Sequence, residues 1–147
     1  MKIKYELCYN KSDQNSILLH FKKCDKQFQE SLLSQNLNLY TLKLLKFSHR
    51  IEFWNKCGLI GLSAFYIRKN QSQDCFISNF TIIENLSRNG LGSDLLSHTI
   101  DYAKKNGCSS IILEVHQENT NAQLFYRKNN FAIQGGNGNK LELKLKI

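Results

Sequence analysis

The chain has 147 residues, of which 41% are hydrophobic and 22% are charged, a composition typical of one globular domain. Its formal net charge of +8 favours anionic ligands, although the lysines are scattered and form no aromatic-basic motif of a nucleic-acid-binding protein. The five cysteines include no Cys-x-x-Cys pair, so the sequence suggests neither a zinc site nor a disulfide framework.

The N-terminal segment MKIKYELCYN alternates like a strand and lacks the apolar core of a signal peptide. No stretch approaches the roughly 18 apolar residues that a membrane span requires. We therefore expect a cytoplasmic protein that binds no metal, no membrane and no specific nucleic acid.

The N-terminal half is predicted to contain a strand, two helices and a hairpin, because hydrophobic residues first alternate, then recur at helical spacing, then alternate again. Residues Asn36–Tyr40 weaken the second helical pattern and are a candidate break. The predicted bounds are Lys2–Tyr9 for the strand, Ser16–Cys24 and Phe28–Phe47 for the helices, and Arg50–Asn55 and Leu59–Arg68 for the hairpin.

The central stretch is predicted to be a strand, a Gly-rich loop and a helix. The strand is Cys75–Ile83, apolar and β-branched, and the helix runs through Asp94–Lys105 to a stop at Asn106-Gly107. Between them, Gly90 and Gly92 allow backbone N–H groups to face outward at the positive end of the helix. That arrangement suits a pyrophosphate, whereas an ordinary flexible connection is the alternative interpretation.

The remaining chain is predicted to be a strand, a short helix and two closing strands. The helix places Ala122, Phe125 and Tyr126 near one side. The predicted bounds are Cys108–His116, Thr120–Lys128, Phe131–Gln134 and Lys140–Ile147.

This element order, together with two local motifs, resembles the Gcn5-related N-acetyltransferase (GNAT) family. The segment Ser87–Gly92 resembles the family's acetyl-CoA loop, (Arg/Gln)-x-x-Gly-x-(Gly/Ala), and Asn119–Phe131 resembles its second signature, Asn-x-x-Ala-x-x-(Leu/Phe)-Tyr-x-Lys-x-Gly-Phe. Two positions depart from these patterns: Ser87 replaces Arg or Gln, and Asn130 replaces Gly. Asn tolerates a left-handed backbone best among the other residues, so the helix end is expected to survive.

The resemblance implies an α/β (α+β) GNAT fold over residues 1–147, with a single mixed, mostly antiparallel, splayed central sheet flanked by helices. It also implies acetyl-CoA as co-substrate, with neighbouring Arg88 able to supply the charge that Ser87 lacks. Asn119 could equally cap the helix that begins at Thr120. The residues that the resemblance assigns to acetyl-CoA are Phe80, Thr81 and Ile82 through their backbone, Arg88, Asn89, Gly90, Leu91, Gly92 and Ser93 through their amides, and Asn119.

Two residues are the candidate catalytic groups. By resemblance, the Tyr126 hydroxyl would protonate the departing CoA thiolate, the alternative being a core tyrosine on an amphipathic helix. Glu114 matches a carboxylate that some members use to deprotonate the amine, the alternative being a paired polar strand residue. His49 and His116 are weaker candidates for the base, because a lone histidine is more often structural.

The sequence therefore predicts an acetyl-CoA-dependent N-acetyltransferase that acts on a primary amine by direct attack. A small-molecule amine or amino sugar is the favoured acceptor, and a homodimer is a candidate assembly. The alternatives are a protein or peptide N-acetyltransferase and a non-catalytic acyl-CoA sensor. Acceptor selection is expected from the helical pair and from the loops near His49–Asn55 and Lys69–Asp74.

Overall fold

A computed structural model describes residues 3–31, 36–69 and 73–147. Their strands are hydrogen-bonded in the order β1-β2-β3-β4-β5-β7-β6. The elements are β1 (Glu6–Tyr9), α1 (Gln14–Lys23), α2 (Lys26–Ser31), α3 (Leu37–Phe47), β2 (His49–Asn55), β3 (Gly58–Arg68), β4 (Asp74–Ile82), a 3-10 turn (Glu84–Leu86), α4 (Leu91–Lys105), β5 (Ser110–His116), α5 (Thr120–Lys128), β6 (Ala132–Asn137) and β7 (Lys140–Lys146).

The chain divides into two compact units, unit 1 (Met1–Ala64 and Asn79–Thr99) and unit 2 (Phe65–Ser78 and Ile100–Ile147). The boundary falls within β3, β4 and α4. The prediction of one domain over residues 1–147 stays a prediction. None of the described helices is long and apolar enough to cross a membrane.

Unit 1 is built by packing α1 and α3 on β3. Their apolar side chains form one buried cluster, which removes apolar surface from water and is the main source of stability for these short helices. The helices begin at side-chain caps: Asp13 accepts a hydrogen bond from the N–H of Ser16, and Asn36 accepts one from Leu39. The buried members of the cluster are Ile17, Phe21, Leu44, Leu59, Leu62 and Ala64.

A buried ion pair in unit 1 ties β2 to the loop before α1. The Glu52 side chain is fully buried, and its carboxylate accepts hydrogen bonds from the backbone N–H of Lys11 and Ser12 and from the Trp54 indole. Arg50, 5% exposed, lies 3.3 Å from Glu52 and also donates to Ser12 Oγ. A buried carboxylate with this many donors is compensated for the hydration it has lost.

Unit 2 contains a mixed ladder of strands. The ladder between β4 and β5 is parallel and joins Asp74–Ile77 to Ser110–Leu113, whereas β7 pairs antiparallel with both β5 and β6. Strand β4 continues five residues beyond this ladder, to Ile82. The β5 pattern of buried residues is apolar, as expected for a strand in the interior of a sheet.

The predicted elements are found, with differences in the bounds of most of them, of which four matter for the fold and the site. β1 begins at Glu6 rather than Lys2, and Tyr5, just before it, stacks its ring on Phe53 of β2 with centroids 3.8 Å apart. The predicted helix Phe28–Phe47 is interrupted, and α3 restarts after the Asn36 cap. The remaining differences lie in α4 and β6 and are described below. Residues 2, 32–35 and 70–72, which several predicted segments include, lie outside the described residues.

Candidate functional site

The Gly-rich loop is shaped by two left-handed residues. A 3-10 turn over Glu84–Leu86 precedes it, after which Arg88 has φ 67° and Gly90 has φ 81°. The Ser87 hydroxyl donates to the Glu84 carbonyl at 2.8 Å. Ser87 is therefore used to close the turn, and the exposed Arg88 is the cation of this loop.

Helix α4 begins one turn earlier than predicted, at Leu91 rather than Asp94. The first amide in the helical pattern is that of Asp94, which donates to the Gly90 carbonyl at 3.2 Å. Because of its glycines, the sequence predicted a loop over Leu91–Ser93, but these residues are already helical. Within the described residues, the six amides from Arg88 to Ser93 have no backbone acceptor outside their own helix, and the first turn of a helix offers none inside it. They are a set of donors at the positive end of α4.

The last residues of β4 alternate between two environments. Asn79 and Thr81 are buried, whereas Phe80 and Ile82 are partly exposed. The N–H of Ile83 donates to the Ile60 carbonyl on β3 at 3.0 Å. Since residues two apart on a strand direct their backbone groups to the same edge, the N–H and C=O of Phe80 and Ile82 point to the edge away from β3.

Tyr126 lies in unit 2, 6% exposed, on α5. Burial raises the pKa of its hydroxyl, so the phenol keeps its proton throughout the physiological pH range. Its ring packs at steep angles against Phe125 and Phe131, with centroids 5.1 and 5.3 Å away. The hydroxyl can therefore act as a hydrogen-bond donor held on a rigid ring.

The end of α5 confirms the prediction for Asn130. This residue has φ 72°, and the two hydrogen bonds of a Schellman motif follow: Phe131 N–H to the Tyr126 carbonyl and Asn130 N–H to the Arg127 carbonyl, both at 3.0 Å. Because Phe131 belongs to this motif, β6 begins one residue later than predicted, at Ala132.

Asn119 caps the helix that carries Tyr126. Its side-chain oxygen accepts a hydrogen bond from the N–H of Ala122 at 3.2 Å, so the capping role considered from the sequence is confirmed. A contact with the cofactor stays a prediction for this residue.

Glu114 is exposed on β5 and faces a second carboxylate. Its register partner on β7 is Glu142, and directly opposite residues place their side chains on the same face of a sheet. Glu142 accepts a hydrogen bond from Gln134 at 2.6 Å. Glu114 is thus an exposed carboxylate, and Lys140 and Lys144, which flank Glu142 on β7, are its diagonal neighbours on the same face. The catalytic role and the alternative of a polar strand residue paired with a base both stay predictions.

His116 and His20 both have roles that the sequence did not predict. His116 accepts the Glu118 N–H at Nδ1, 3.2 Å away, which gives its ring a local structural role. The sequence predicts no role for His20, because it lies within an ordinary amphipathic helical pattern. It is fully buried and bonded to Thr81, which is 61 residues away, so no local signal could have revealed it.

The predicted residues are divided between the units. Unit 1 holds the end of β4 and the loop amides, and unit 2 holds Glu114, Asn119 and Tyr126. In the described residues no group of three or more His, Cys, Asp or Glu side chains is arranged to hold a metal ion.

Comparison with known proteins identifies the fold. The model of the acetyltransferase (GNAT) family matches residues 21–131. No curated protein matches the sequence.

Among solved structures, the PaiA N-acetyltransferase from Thermoplasma acidophilum, in complex with coenzyme A, is 17% identical, with a TM-score of 0.83 over 99% of this chain and 100% of that one. The ribosomal-protein-S18-alanine N-acetyltransferase from Escherichia coli is 15% identical, with a TM-score of 0.78 over 98% and 94%. A Bacillus subtilis acetyltransferase in complex with CoA is 18% identical, with a TM-score of 0.70 over 98% and 99%. These similarities confirm the predicted mixed α/β fold with its mostly antiparallel sheet.

Proposed function

This chain belongs to the acetyltransferase (GNAT) family and is an acyltransferase, and we propose that it transfers the acetyl group of acetyl-CoA to a primary amine. The observation that carries the proposal is the set of amides from Arg88 to Ser93, at the start of α4, that have no backbone acceptor outside their own helix. Such a set of donors at a helix N-terminus fits a pyrophosphate, and CoA carries one. Two structural neighbours bind CoA, in agreement with this chemistry.

The pyrophosphate would accept hydrogen bonds from the loop amides, with Arg88 as the nearby cation. Ser87 cannot replace the Arg or Gln of the family pattern, because its hydroxyl already bonds Glu84. The amides proposed to bind it are those of Arg88, Asn89, Gly90, Leu91, Gly92 and Ser93.

The pantetheine arm would lie along the last residues of β4, from Phe80 through Thr81 to Ile82, and bond the strand in the manner of an added strand. Along this segment the backbone groups of Phe80 and Ile82 point away from β3, so they are the groups available to the pantetheine arm. The Ile82 N–H would also stabilise the oxyanion of the tetrahedral intermediate. Asn119 would contact the pantetheine in addition to capping α5.

The reaction needs one net proton transfer. The neutral amine attacks the thioester carbon, the C–S bond breaks, and the proton lost by nitrogen ends on the CoA sulfur. A phenol with a raised pKa is a weaker acid than a thiol, so full ionisation of Tyr126 would be unfavourable. We assign its hydroxyl as the donor that hydrogen-bonds the leaving sulfur and relays the proton to it.

Glu114 is proposed as the base that removes the proton from the acceptor ammonium, directly or through water. Its exposure leaves the carboxylate accessible to an acceptor. A small-molecule amine or amino sugar is the acceptor class that we favour.

Two other readings of the same fold remain as alternatives. A peptide or protein N-terminus is the second candidate acceptor, because the Escherichia coli neighbour is named for a ribosomal-protein alanine. A non-catalytic acyl-CoA sensor would keep the loop but would not depend on Tyr126.

We also propose a cytoplasmic location, acetyl-CoA as co-substrate with no metal, and a homodimer as a candidate assembly, with neither a specific nucleic-acid partner nor a membrane partner. The location is supported by the five cysteines, all of which are free thiols, as in a reducing compartment.

The experiment that tests this function is acetyl-CoA-dependent thiol release across amino sugars, nucleotide-linked amino sugars, polyamines, amino acids and peptides. We expect turnover with one small-amine class, and a loss of about 10²–10⁴-fold in kcat for Tyr126→Phe with unchanged affinity for acetyl-CoA. Tyr102→Phe, on α4, is the matched control and should keep full activity. Unchanged turnover in Tyr126→Phe would contradict the role of that hydroxyl, and turnover with peptides alone would replace the favoured acceptor.

A further inference from the structure

The proposed chemistry gives no role to His20, a fully buried titratable side chain. His20 on α1 has no solvent exposure, yet both ring nitrogens have partners: Nδ1 lies 3.0 Å from the Leu59 carbonyl and Nε2 lies 2.7 Å from Thr81 Oγ1. Thr81 Oγ1 in turn donates to Asn79 Oδ1 over 2.9 Å. A single chain of hydrogen bonds therefore connects α1, β3 and the last residues of β4.

The direction of these hydrogen bonds follows from counting protons. The Leu59 carbonyl can only accept, so Nδ1 carries the ring proton, and burial keeps the ring neutral by lowering its pKa to about 4. Nε2 is then an acceptor, with the Thr81 hydroxyl at 2.7 Å and the Cys24 thiol at 3.6 Å. The single hydroxyl proton of Thr81 lies between two acceptors, His20 Nε2 and Asn79 Oδ1. Thr81 is thus held by both neighbours.

Thr81 stands at the centre of the segment that would hold the pantetheine arm. Its side chain is fixed by His20, and the flanking Phe80 and Ile82 direct their backbone groups to the edge away from β3. The neighbouring Ile82 is held as well, since a Cβ at Gly61 would approach its Cδ1 to 3.0 Å. The end of β4 is therefore fixed by two contacts. Thr81 is hydrogen-bonded to His20 on α1, and Ile82 packs closely against β3.

We propose that His20 is a positioning residue for acyl transfer: acting through Thr81, it sets the orientation of the Phe80 and Ile82 backbone groups that bind the pantetheine arm and the thioester carbonyl. The inference rests on the proposed function. It adds a residue of α1 that touches neither the cofactor nor the acceptor. Rotation of the strand about its axis moves these backbone groups out of line, and a hydroxyl that donates to a buried imidazole resists that rotation.

The test compares variants in which one of two buried threonines, Thr81 or Thr99, loses its hydroxyl group. Thr81→Val removes the hydroxyl and keeps the shape, and Thr81→Ser keeps the hydroxyl. Thr99→Val is the matched control, because Thr99 is buried in the same unit and donates to Ser63 at 2.8 Å without touching His20. Binding of acetyl-CoA is measured by calorimetry for each variant, at a temperature at which circular dichroism shows all of them folded.

We expect Thr81→Val to weaken acetyl-CoA binding roughly tenfold, Thr81→Ser to weaken it less than Thr81→Val does, and Thr99→Val to bind like the original protein. His20→Leu should weaken binding similarly, and the double variant His20→Leu/Thr81→Val should weaken it no further, because the two side chains act as one unit. If Thr81→Val folds poorly, the comparison of Thr81→Ser with His20→Leu carries the same test.

Three results would overturn the proposal, each at a different step. Equal affinities for Thr81→Val and Thr99→Val would overturn the positioning role and leave a stabilising hydrogen bond. Additive losses in the double variant would overturn the claim that His20 acts through Thr81. Failure of the original protein to bind acetyl-CoA would overturn the proposed function itself, together with the inference.

Discussion

The backbone N–H of Phe131 donates to the carbonyl of Tyr126 over 3.0 Å, while the two rings lie 5.3 Å apart at an interplanar angle of 65°. One turn of chain thus joins the candidate catalytic tyrosine to an aromatic ring by a hydrogen bond and by packing. This geometry requires the left-handed backbone of Asn130 between α5 and β6. The residue that replaces the family glycine therefore determines how firmly Tyr126 is held.

Substitution of Asn130 tests this dependence. Asn130→Ala should lower the free energy of unfolding by about 1 kcal/mol, because alanine tolerates a left-handed backbone poorly. Asn130→Gly is the matched control and should be as stable as the original chain or slightly more so. Urea unfolding measures both, and an alanine variant as stable as the glycine one would show that φ is not under strain at this position.

Acidification should destabilise the protein through His20. Its folded-state pKa of about 4 lies below the ordinary value of 6.5, so between these limits the unfolded chain binds a proton that the folded chain does not. Stability is therefore fully present above pH 6.5 and falls toward pH 4, by about 3 kcal/mol at most.

His20→Gln provides the comparison, since glutamine does not titrate. The stability difference between the original chain and this variant, measured by urea unfolding at several pH values, should shrink as the pH falls from 6.5 to 4. A difference that stays constant over this range would mean that His20 titrates normally in the folded state.

The Arg50–Glu52 pair offers a test of buried charge. Glu52→Leu should cost about 3–5 kcal/mol of unfolding free energy, because it leaves the buried Arg50 guanidinium and two backbone N–H groups without their carboxylate. Arg50→Met/Glu52→Leu should recover part of that loss, as no unpaired charge then remains. If the double variant loses as much stability as the sum of the two single variants, the two side chains are not coupled and mutual compensation of their charges is contradicted.

Local signals account for what the sequence predicted well. The bounds of α5 were correct because both ends depend on neighbouring residues: the Asn119 cap at its start and the left-handed Asn130 after its end. The family motifs lie in the same region, and their positions led to Tyr126 and to the loop amides. The roles of these residues toward acetyl-CoA stay predictions.

Contacts between distant segments account for what the sequence did not predict. The alternation of Ile3 and Tyr5 indicated a strand, but Tyr5 packs on Phe53, about fifty residues later. Gly90 and Gly92 indicated a loop, but α4 already begins between them. The cost of Gly92 in the helix is offset by packing elsewhere in the element. His20 meets Thr81 only when the chain is folded, and helical periodicity carries no information about such a pair.

The most direct test of the central claim is a titration of the isotope-labelled protein with coenzyme A, followed by amide resonances in two-dimensional NMR. The account predicts that the largest shifts fall on the amides from Arg88 to Ser93, and that pantetheine, which lacks the pyrophosphate, leaves those amides unchanged while still shifting Phe80 and Ile82. Equal shifts in the loop with both ligands, or no shifts there with coenzyme A, would contradict it.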